Sequence, residues 1–264
     1  MILVDFDETI TTTETTPLLG QFGLDYHGSS LPWHYFIDTY MEDYNRIKEQ
    51  FPTNTTAPEE RIKAFRAAEE ASLARIHTRK VFQGLTRQQI FDHGQKLSTS
   101  YLRPDALDTL VSIKNNNGND CLRIVSVNWS KDWIRGFLEP YLELSYDQIC
   151  SNDLVYDDQG KATGEIQQEV LTSYDKRRVV QRIKHEIPQD MPIVYIGDSP
   201  GDVLPLVDAN TGIVIGDNQR LLKAIKDDFH RTVVESIPSS SRTPGQPPIY
   251  RVDTWNQIRS SDVF

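Results

Sequence analysis

The first eleven residues, Met1-Ile-Leu-Val-Asp-Phe-Asp-Glu-Thr-Ile-Thr11, constrain this chain more than any other stretch. Ile2 to Val4 are apolar and partly β-branched, which predicts a short buried strand. Asp5 and Asp7 follow two residues apart, so their carboxylates point to the same side if the chain stays extended. Two like charges held together cost free energy unless a cation lies between them, and Mg²⁺ is the natural hard cation for oxygen ligands. An Asx-rich turn is the alternative interpretation, because Asp and Thr are common turn residues.

Strand and helix patterns alternate from residue 104 to residue 230, which is typical of a parallel sheet with helices on both faces. We therefore expect an α/β fold with a Rossmann-like, doubly wound parallel sheet. The predicted strands cover 2–4, 122–127, 146–154, 192–196, 212–215 and 249–252. The predicted helices of this part begin at Pro104 and Ser130 or cover 175–185, 203–207, 221–225 and 255–258. A flexible linker is predicted for 235–248.

The stretch from residue 14 to residue 99 has a helical pattern almost throughout. It predicts helices over 32–48 and 58–82, and a third from a capping box formed by Thr86 and Gln89. The simplest domain organisation is a core of residues 1–13 and 100–264, with an all-helical cap of residues 14–99 above the strand ends. A small exposed hairpin is predicted for 154–166.

Composition excludes several classes of protein. The net charge of −10 argues against a nucleic-acid partner. There is no apolar run near the ~20 residues that span a bilayer, so no membrane partner is expected. Neither a secretory leader nor a disulfide framework is indicated, since the two cysteines are Cys121 and Cys150. We expect a cytoplasmic protein whose oligomeric state the sequence does not set.

Four segments carry polar side chains at predicted strand ends or helix starts, where ligands bind in open α/β sheets. They are Asp5-x-Asp7-x-Thr9, then Ser126-Val127-Asn128, then Lys176, and last Gly197-Asp198-Ser-Pro-Gly-Asp202. Each has a structural alternative. Ser126 can be an ordinary strand-end hydroxyl, and Asp198 and Asp202 can cap the helix that follows.

In this order the four segments resemble those of the haloacid dehalogenase-like phosphohydrolase superfamily. The helical insertion, the Gly-Asp-x-x-x-Asp segment and the hairpin before the lysine look most like the phosphoserine phosphatase branch. The resemblance covers residues 1 to about 230. It implies a Mg²⁺-dependent phosphatase that acts on a small phosphorylated metabolite through an aspartyl-phosphate.

The resemblance also implies residue roles. Asp5 is the expected nucleophile, and Asp7 the general acid and base. Mg²⁺ is expected on Asp5, the Asp7 carbonyl and Asp198, with Asp202 orienting its water shell. Phosphoryl or substrate contacts are expected from Ser126 and Lys176, together with Thr9, Val127 and Asn128.

Glu14 lies where phosphoserine phosphatases carry a glutamate that contacts the substrate amine, which favours an amine-bearing ester. A surface glutamate in a Thr-rich turn is the alternative. Trp33, His34 and Tyr35 are interpreted as packing residues rather than as a substrate pocket. Two other functions stay open: a catalytically silent metabolite-binding protein on the same fold, and a phosphotransferase.

Overall fold

The computed structural model describes residues 1–237 and 248–261. Seven strands form one parallel sheet in the spatial order β3-β2-β1-β6-β7-β9-β8, and β4 and β5 form a separate antiparallel hairpin. The strands are β1 Ile2–Val4, β2 Leu122–Val125, β3 Ile149–Cys150, β4 Asp153–Tyr156, β5 Ala162–Gln167, β6 Val194–Gly197, β7 Thr211–Ile215, β8 Val233–Val234 and β9 Ile249–Val252.

Strand β1 lies at the centre of the sheet and pairs with β2 on one side and β6 on the other. The chain builds the sheet outward from β1 to β3 and then crosses back to β6, so the strand order reverses between β1 and β6. Such a reversal opens a crevice at the carboxyl ends of the two strands. Asp5 follows β1 and Asp198 follows β6, so both aspartates lie at this crevice.

Side chains of alternate residues along each strand pack on opposite faces of the sheet. Ile2 and Val4 belong to one buried apolar cluster and Leu3 to another. The structure thus confirms the predicted doubly wound α/β fold, with helices on both faces. The helices are α1 Thr16–Tyr26, α2 His34–Gln50, α3 Pro58–Ala64, α4 Arg66–Thr78, α5 Arg87–Tyr101, α6 Ala106–Asn117, α7 Lys131–Leu138, α8 Ser173–Glu186, α9 Val203–Asp208, α10 Gln219–Lys223 and α11 Trp255–Arg259.

Two predicted elements are wrong in detail. The single helix over 58–82 is two helices that meet at Phe65 and end at Thr78, because Lys80 adopts a left-handed conformation with φ of 54°. The hairpin over 154–166 forms, but it is exposed only at its tip, residues 157–161, since Leu154 and Ile166 nearer its base are buried. Its backbone at Ala162 also exchanges hydrogen bonds with residues 84 and 85.

Other predicted boundaries shift by a few residues. The strand over 122–127 ends at Val125, and the stretch 146–154 holds the short β3 and the start of β4. Helix α1 had no prediction of its own, although it lies within the predicted helical stretch. The predicted linker over 235–248 falls mainly on 238–247, outside the described residues.

Helices α1 to α5 all lie between β1 and β2 in the chain, and α2 packs on α4. Helix α5 instead packs along α7 of the α/β part, where two glycines let the helices approach closely. A Cβ added at Gly136 would lie 2.3 Å from the Phe91 carbonyl oxygen, and one at Gly94 would lie 2.8 Å from the Trp133 carbonyl oxygen. The limits of the cap, 14–99, and of the core, 1–13 with 100–264, stay a prediction.

The described helices include none that combines the length and the apolar character needed to cross a membrane.

Gly136→Ala tests the contact between α5 and α7. Alanine normally stabilises a helix relative to glycine, by about 1 kcal/mol. Here we expect the opposite sign, a loss of about 1–3 kcal/mol in the free energy of unfolding, because the new methyl group meets backbone. Urea denaturation measures the change. Lys96→Ala, on the exposed side of α5, is the control and should change stability by less than about 0.5 kcal/mol; equal effects would contradict the prediction.

Candidate active site

A cluster of three aspartates lies at the crevice between β1 and β6. Asp5 follows β1, Asp198 follows β6, and Asp202 ends the short turn before α9. All three are buried, and one carboxylate oxygen of each lies within 4.8 Å of the others. Burial of the predicted metal residues Asp5, Asp198 and Asp202 in one place is the central geometric fact of this site.

Lys176, in the first turns of α8, places its ammonium group inside this cluster. Its Nζ atom lies 2.8 Å from Asp5 Oδ1 and 2.8 Å from Asp202 Oδ1. Burial alone lowers the pKa of Lys176, but Asp202 and Asp5 outweigh it and raise the pKa above its ordinary value. Lys176 therefore stays protonated and supplies one fixed positive charge to three carboxylates.

Asp202 is fully buried and holds the loop after β6. Its Oδ1 also accepts a hydrogen bond of 2.7 Å from the Tyr195 hydroxyl, and its Oδ2 accepts bonds of 3.2 Å from the Asp198 and Ser199 amides. A Cβ on Gly197 would lie 2.4 Å from Asp202 Cγ, so this packing requires glycine at position 197. Asp202 thus fixes the backbone that carries Asp198.

Thr9, predicted to contact substrate, donates a hydrogen bond of 2.8 Å from its hydroxyl to Asp198 Oδ1. Among the described residues, no hydrogen-bond donor reaches the other oxygen of Asp198 or Asp5 Oδ2. Burial, and next the charge of Asp202, raise the pKa of Asp5 well above its usual range and that of Asp198 to about 7. Crowded carboxylates with two free oxygens and one ammonium fit a hard divalent cation, so this donor set is suited to Mg²⁺.

Asp7 is buried too, but its carboxylate lies outside the three-aspartate cluster. It accepts hydrogen bonds from the Thr15 amide at 2.8 Å, from the Thr15 hydroxyl, and from Asn128 Nδ2 at 2.9 Å. Burial, and next the charge of Glu14, raise the pKa of Asp7 to about 8. A carboxyl group that holds its proton at neutral pH is suited to general acid catalysis.

Thr15 and the side chain of Asn128 were not predicted to position Asp7. Trp133 was missed as well, and its Nε1 atom donates to Thr15 Oγ1 at 3.0 Å. The contacts of Asn128 with Asp7 and of Trp133 with Thr15 join residues more than a hundred positions apart, and no local spacing identifies them. The only hint was that residues 11–16 are rich in threonine.

Ser126 and Asn128 form a tight turn directly after β2. The Asn128 amide, predicted to hold a phosphoryl oxygen, donates to Ser126 Oγ at 3.0 Å. Both residues are fully buried, and Val127 between them faces a neighbouring cavity. The structure thus brings the second predicted segment next to Asp7 through the Asn128 side chain.

The cavity beside this turn has a volume of about 260 Å³. Its walls come from α2 and α4 on one side and from the loops after β1 and β2 on the other. Glu14 and Val127, two predicted substrate contacts, both lie on it. It is lined by Glu14, Thr16, Pro17, Trp33, Phe36, Ile37, Tyr40, Glu69, Ser72, Val127, Trp129 and Leu171.

Trp33 was interpreted as a packing residue, and it does pack on Phe36, with ring centroids 5.0 Å apart. It also forms part of the cavity wall, so the interpretation of Trp33 as a packing residue alone was incomplete. Three arginines of the helical stretch 14–99 pair with aspartates that do not line the cavity. Arg61 pairs with Asp228, Arg66 with Asp175, and Arg75 with Asp43.

Glu69→Gln tests the electrostatics of the cavity. Burial raises the pKa of Glu69 from 4.5 to about 7, in spite of the hydrogen bond from Tyr40, and Glu14 raises it further. A carboxyl whose pKa is raised on folding contributes stability below its unfolded pKa and loses it as pH rises through the folded value. We therefore expect the free energy of unfolding of Glu69→Gln, relative to that of the parent, to rise by about 1–3 kcal/mol from pH 5 to pH 8.

Urea denaturation at the two pH values measures this difference. Glu70→Gln is the matched control, because Glu70 is exposed and pairs with Arg66 on the surface. A Glu69→Gln protein whose stability relative to the parent is the same at both pH values would contradict the prediction.

Comparison with known proteins places this geometry in a family. A family model described as haloacid dehalogenase-like hydrolase matches residues 2–206. A CTO1 family protein of Schizosaccharomyces pombe is 27% identical, with 99% of this chain and 98% of that protein covered. The mitochondrial bifunctional TH2 protein of Arabidopsis thaliana is 24% identical over 98% of this chain, which spans 48% of that relative.

Two solved structures show the same fold. A substrate-bound phosphoserine phosphatase has a TM-score of 0.51 and 20% identity, and the match covers 84% of this chain and 88% of that one. A Bordetella pertussis protein of unknown function has a TM-score of 0.59 and 18% identity, over 86% and 94% of the two chains. The family match extends over most of the sequence and includes the three aspartates and Lys176. The chain belongs to the haloacid dehalogenase-like hydrolase family.

Proposed function

We propose that this protein is a Mg²⁺-dependent phosphatase that hydrolyses a small phosphate monoester through an aspartyl-phosphate on Asp5. The observation that carries the proposal is the buried cluster of Asp5, Asp198 and Asp202 around Lys176, with the buried Asp7 two residues after Asp5 in the chain. The family membership and the fold shared with a phosphoserine phosphatase support the same activity.

In the first step, an oxygen of Asp5 attacks phosphorus and the bond between phosphorus and the ester oxygen breaks. Asp7 donates its proton to the departing alcohol oxygen. Thr15 and Asn128 hold the Asp7 carboxyl in one orientation for this transfer, because Thr15 donates a hydrogen bond to one of its oxygens and Asn128 donates to the other. The products of this step are the free alcohol and phosphorylated Asp5.

In the second step, water attacks phosphorus and the bond between phosphorus and Asp5 breaks. Asp7, now ionised, takes a proton from that water. Inorganic phosphate leaves, and both aspartates return to their starting states. In this proposal one residue, Asp7, acts as acid and then as base.

The remaining residues stabilise charge. Lys176 offsets the negative charge of Asp5 and of the phosphoryl group, and the Ser126 hydroxyl, held by the Asn128 amide, donates to a phosphoryl oxygen. Thr9 and Asp202 position Asp198, and Glu14 and Val127 face the alcohol part of the substrate. Asp5, Asp198 and the Asp7 carbonyl would hold Mg²⁺, which would shield the Asp5 carboxylate from the charge of the phosphate dianion.

Asp5→Asn tests the nucleophile. We expect phosphate release from 4-nitrophenyl phosphate and from a panel of small phosphate esters to fall on the order of a thousandfold or more, since an amide is not a competent nucleophile here. Phosphate release with Mg²⁺, and with a chelator instead, measures the loss. The control is Asp190→Asn, an exposed residue, which should keep the parent rate. Substantial turnover by Asp5→Asn would contradict the mechanism.

Asp198→Asn tests the metal site without depending on turnover. A cation that binds only the folded state raises its stability, so millimolar Mg²⁺ should raise the thermal unfolding midpoint of the parent by about 2–5 °C. The amide oxygen in this variant can still accept the hydrogen bond from Thr9, but the negative charge is lost, so the Mg²⁺-dependent shift should fall to less than half. Calorimetry at constant ionic strength gives the midpoints. An undiminished shift in Asp198→Asn would place the metal elsewhere.

A further inference from the structure

We propose that the cavity beside the active site selects phosphate monoesters whose alcohol carries an organic cation with an alkylated nitrogen. This inference rests on the proposed phosphatase activity and adds the class of substrate. Its basis is the arrangement of aromatic and acidic side chains around the cavity.

Aromatic rings from both sides of the cavity contact one another in its wall. Trp33 lies 5.0 Å from Phe36 and 6.1 Å from Trp129, measured between ring centroids, and the planes of Trp33 and Trp129 are tilted by 58°. Tyr40 adds a further ring to the wall. Several ring faces around one small space attract a cation through their quadrupoles, and tryptophan does so most strongly.

Helix α1 carries the contact that fixes the first of these rings. A Cβ added at Gly20 would lie 2.1 Å from Trp33 Cη2, so the indole lies directly against the α1 backbone. Trp129 comes from the other side, one residue after Asn128. The two tryptophans therefore join the helical segment to the loop that orients Asp7.

Two carboxylates add negative charge to the aromatic walls. Glu14 and Glu69 both line the cavity, whereas the described residues that line it include no lysine or arginine. Tyr40 donates a hydrogen bond of 2.7 Å to Glu69 Oε1. Glu14 raises the pKa of Glu69 and also that of Asp7, so its charge acts on both the cavity and the catalytic acid. A bound cation would relieve this repulsion.

The same walls discriminate against other esters. A substrate with its own carboxylate needs a cation in the cavity, and the lining residues offer none. A primary ammonium is strongly hydrated and needs several acceptors, but most of this wall is ring and aliphatic surface. An alkylated ammonium sheds water more readily and contacts ring faces directly. The volume of about 260 Å³ suits a compact group of this kind.

A matched pair of substrates tests the inference. Choline phosphate and 3,3-dimethylbutyl phosphate have the same shape and differ by a nitrogen in place of a carbon. We expect kcat/KM to be about tenfold or more higher for choline phosphate. A ratio near one, with clear turnover of either ester, would overturn the inference and leave the proposed phosphatase activity intact.

Variants locate the effect. At pH 8, where Glu69 is ionised, Trp33→Leu removes a ring face and Glu69→Gln removes a charge, so each should reduce the kcat/KM ratio of the two esters at least threefold. Glu70→Gln, one residue further along α4 and outside the cavity wall, should leave the ratio unchanged. Ratios that are the same in Trp33→Leu, Glu69→Gln and the parent would contradict the assignment of the cavity.

A binding measurement separates this inference from the proposed chemistry. Choline and 3,3-dimethylbutan-1-ol are titrated by calorimetry into Asp5→Asn protein, which needs no turnover. We expect choline to bind at least tenfold more tightly than the neutral alcohol, and Trp33→Leu to weaken choline binding. Equal or undetectable binding of both overturns the inference. Absence of phosphate release from every ester, with selective choline binding, would instead contradict the proposed activity.

Discussion

The contact on which the whole site depends is that of Lys176 Nζ with Asp5 and Asp202, at 2.8 Å to each. Without it, three carboxylates would be buried at the end of the central strands with no positive charge, at a cost of several kcal/mol. The ammonium group of Lys176 reduces that cost but does not cancel it, since three carboxylates and one ammonium leave two negative charges uncompensated. This remaining negative charge suits the site to the divalent cation of the proposed mechanism. Folding thus leaves an excess of negative charge at the carboxyl edge of the sheet.

Distant segments hold the loop that carries these charges. Trp255, near the end of the described chain, donates a hydrogen bond of 3.0 Å to the Thr9 carbonyl. Arg103 donates to the Glu8 carbonyl at 2.6 Å and to the Thr11 carbonyl at 3.1 Å. Glu8 has a φ of 57°, an uncommon conformation for a residue other than glycine. Helix α11, for which the sequence indicated no role, therefore supports the first motif through Trp255.

What could be predicted from the sequence was set by local patterns. Alternation of strands and helices predicts the doubly wound sheet, and polar residues at strand ends predict that Asp5, Asp198 and Lys176 converge, because parallel strands share one carboxyl edge. The break at Phe65 and the burial of the hairpin could not be predicted, since both depend on what packs against them. The same is true of Thr15, whose hydroxyl links Asp7 to Trp133 across more than a hundred residues. Local spacing predicts the helices and strands and where they end. Which polar atoms form hydrogen bonds with each other depends on long-range contacts.

In the proposed mechanism, the position of Glu14 couples selectivity to catalysis. It precedes Thr15, which holds the Asp7 carboxyl, and it also faces the cavity that contains Trp33 and Glu69. Its charge raises the pKa of Asp7, which favours the protonated acid that the first step needs. A cation in the cavity offsets part of that charge, so the group that binds the alcohol also adjusts the acid that releases it. Recognition of the leaving group and its protonation therefore act through one carboxylate, at the junction of the helical segment and the sheet.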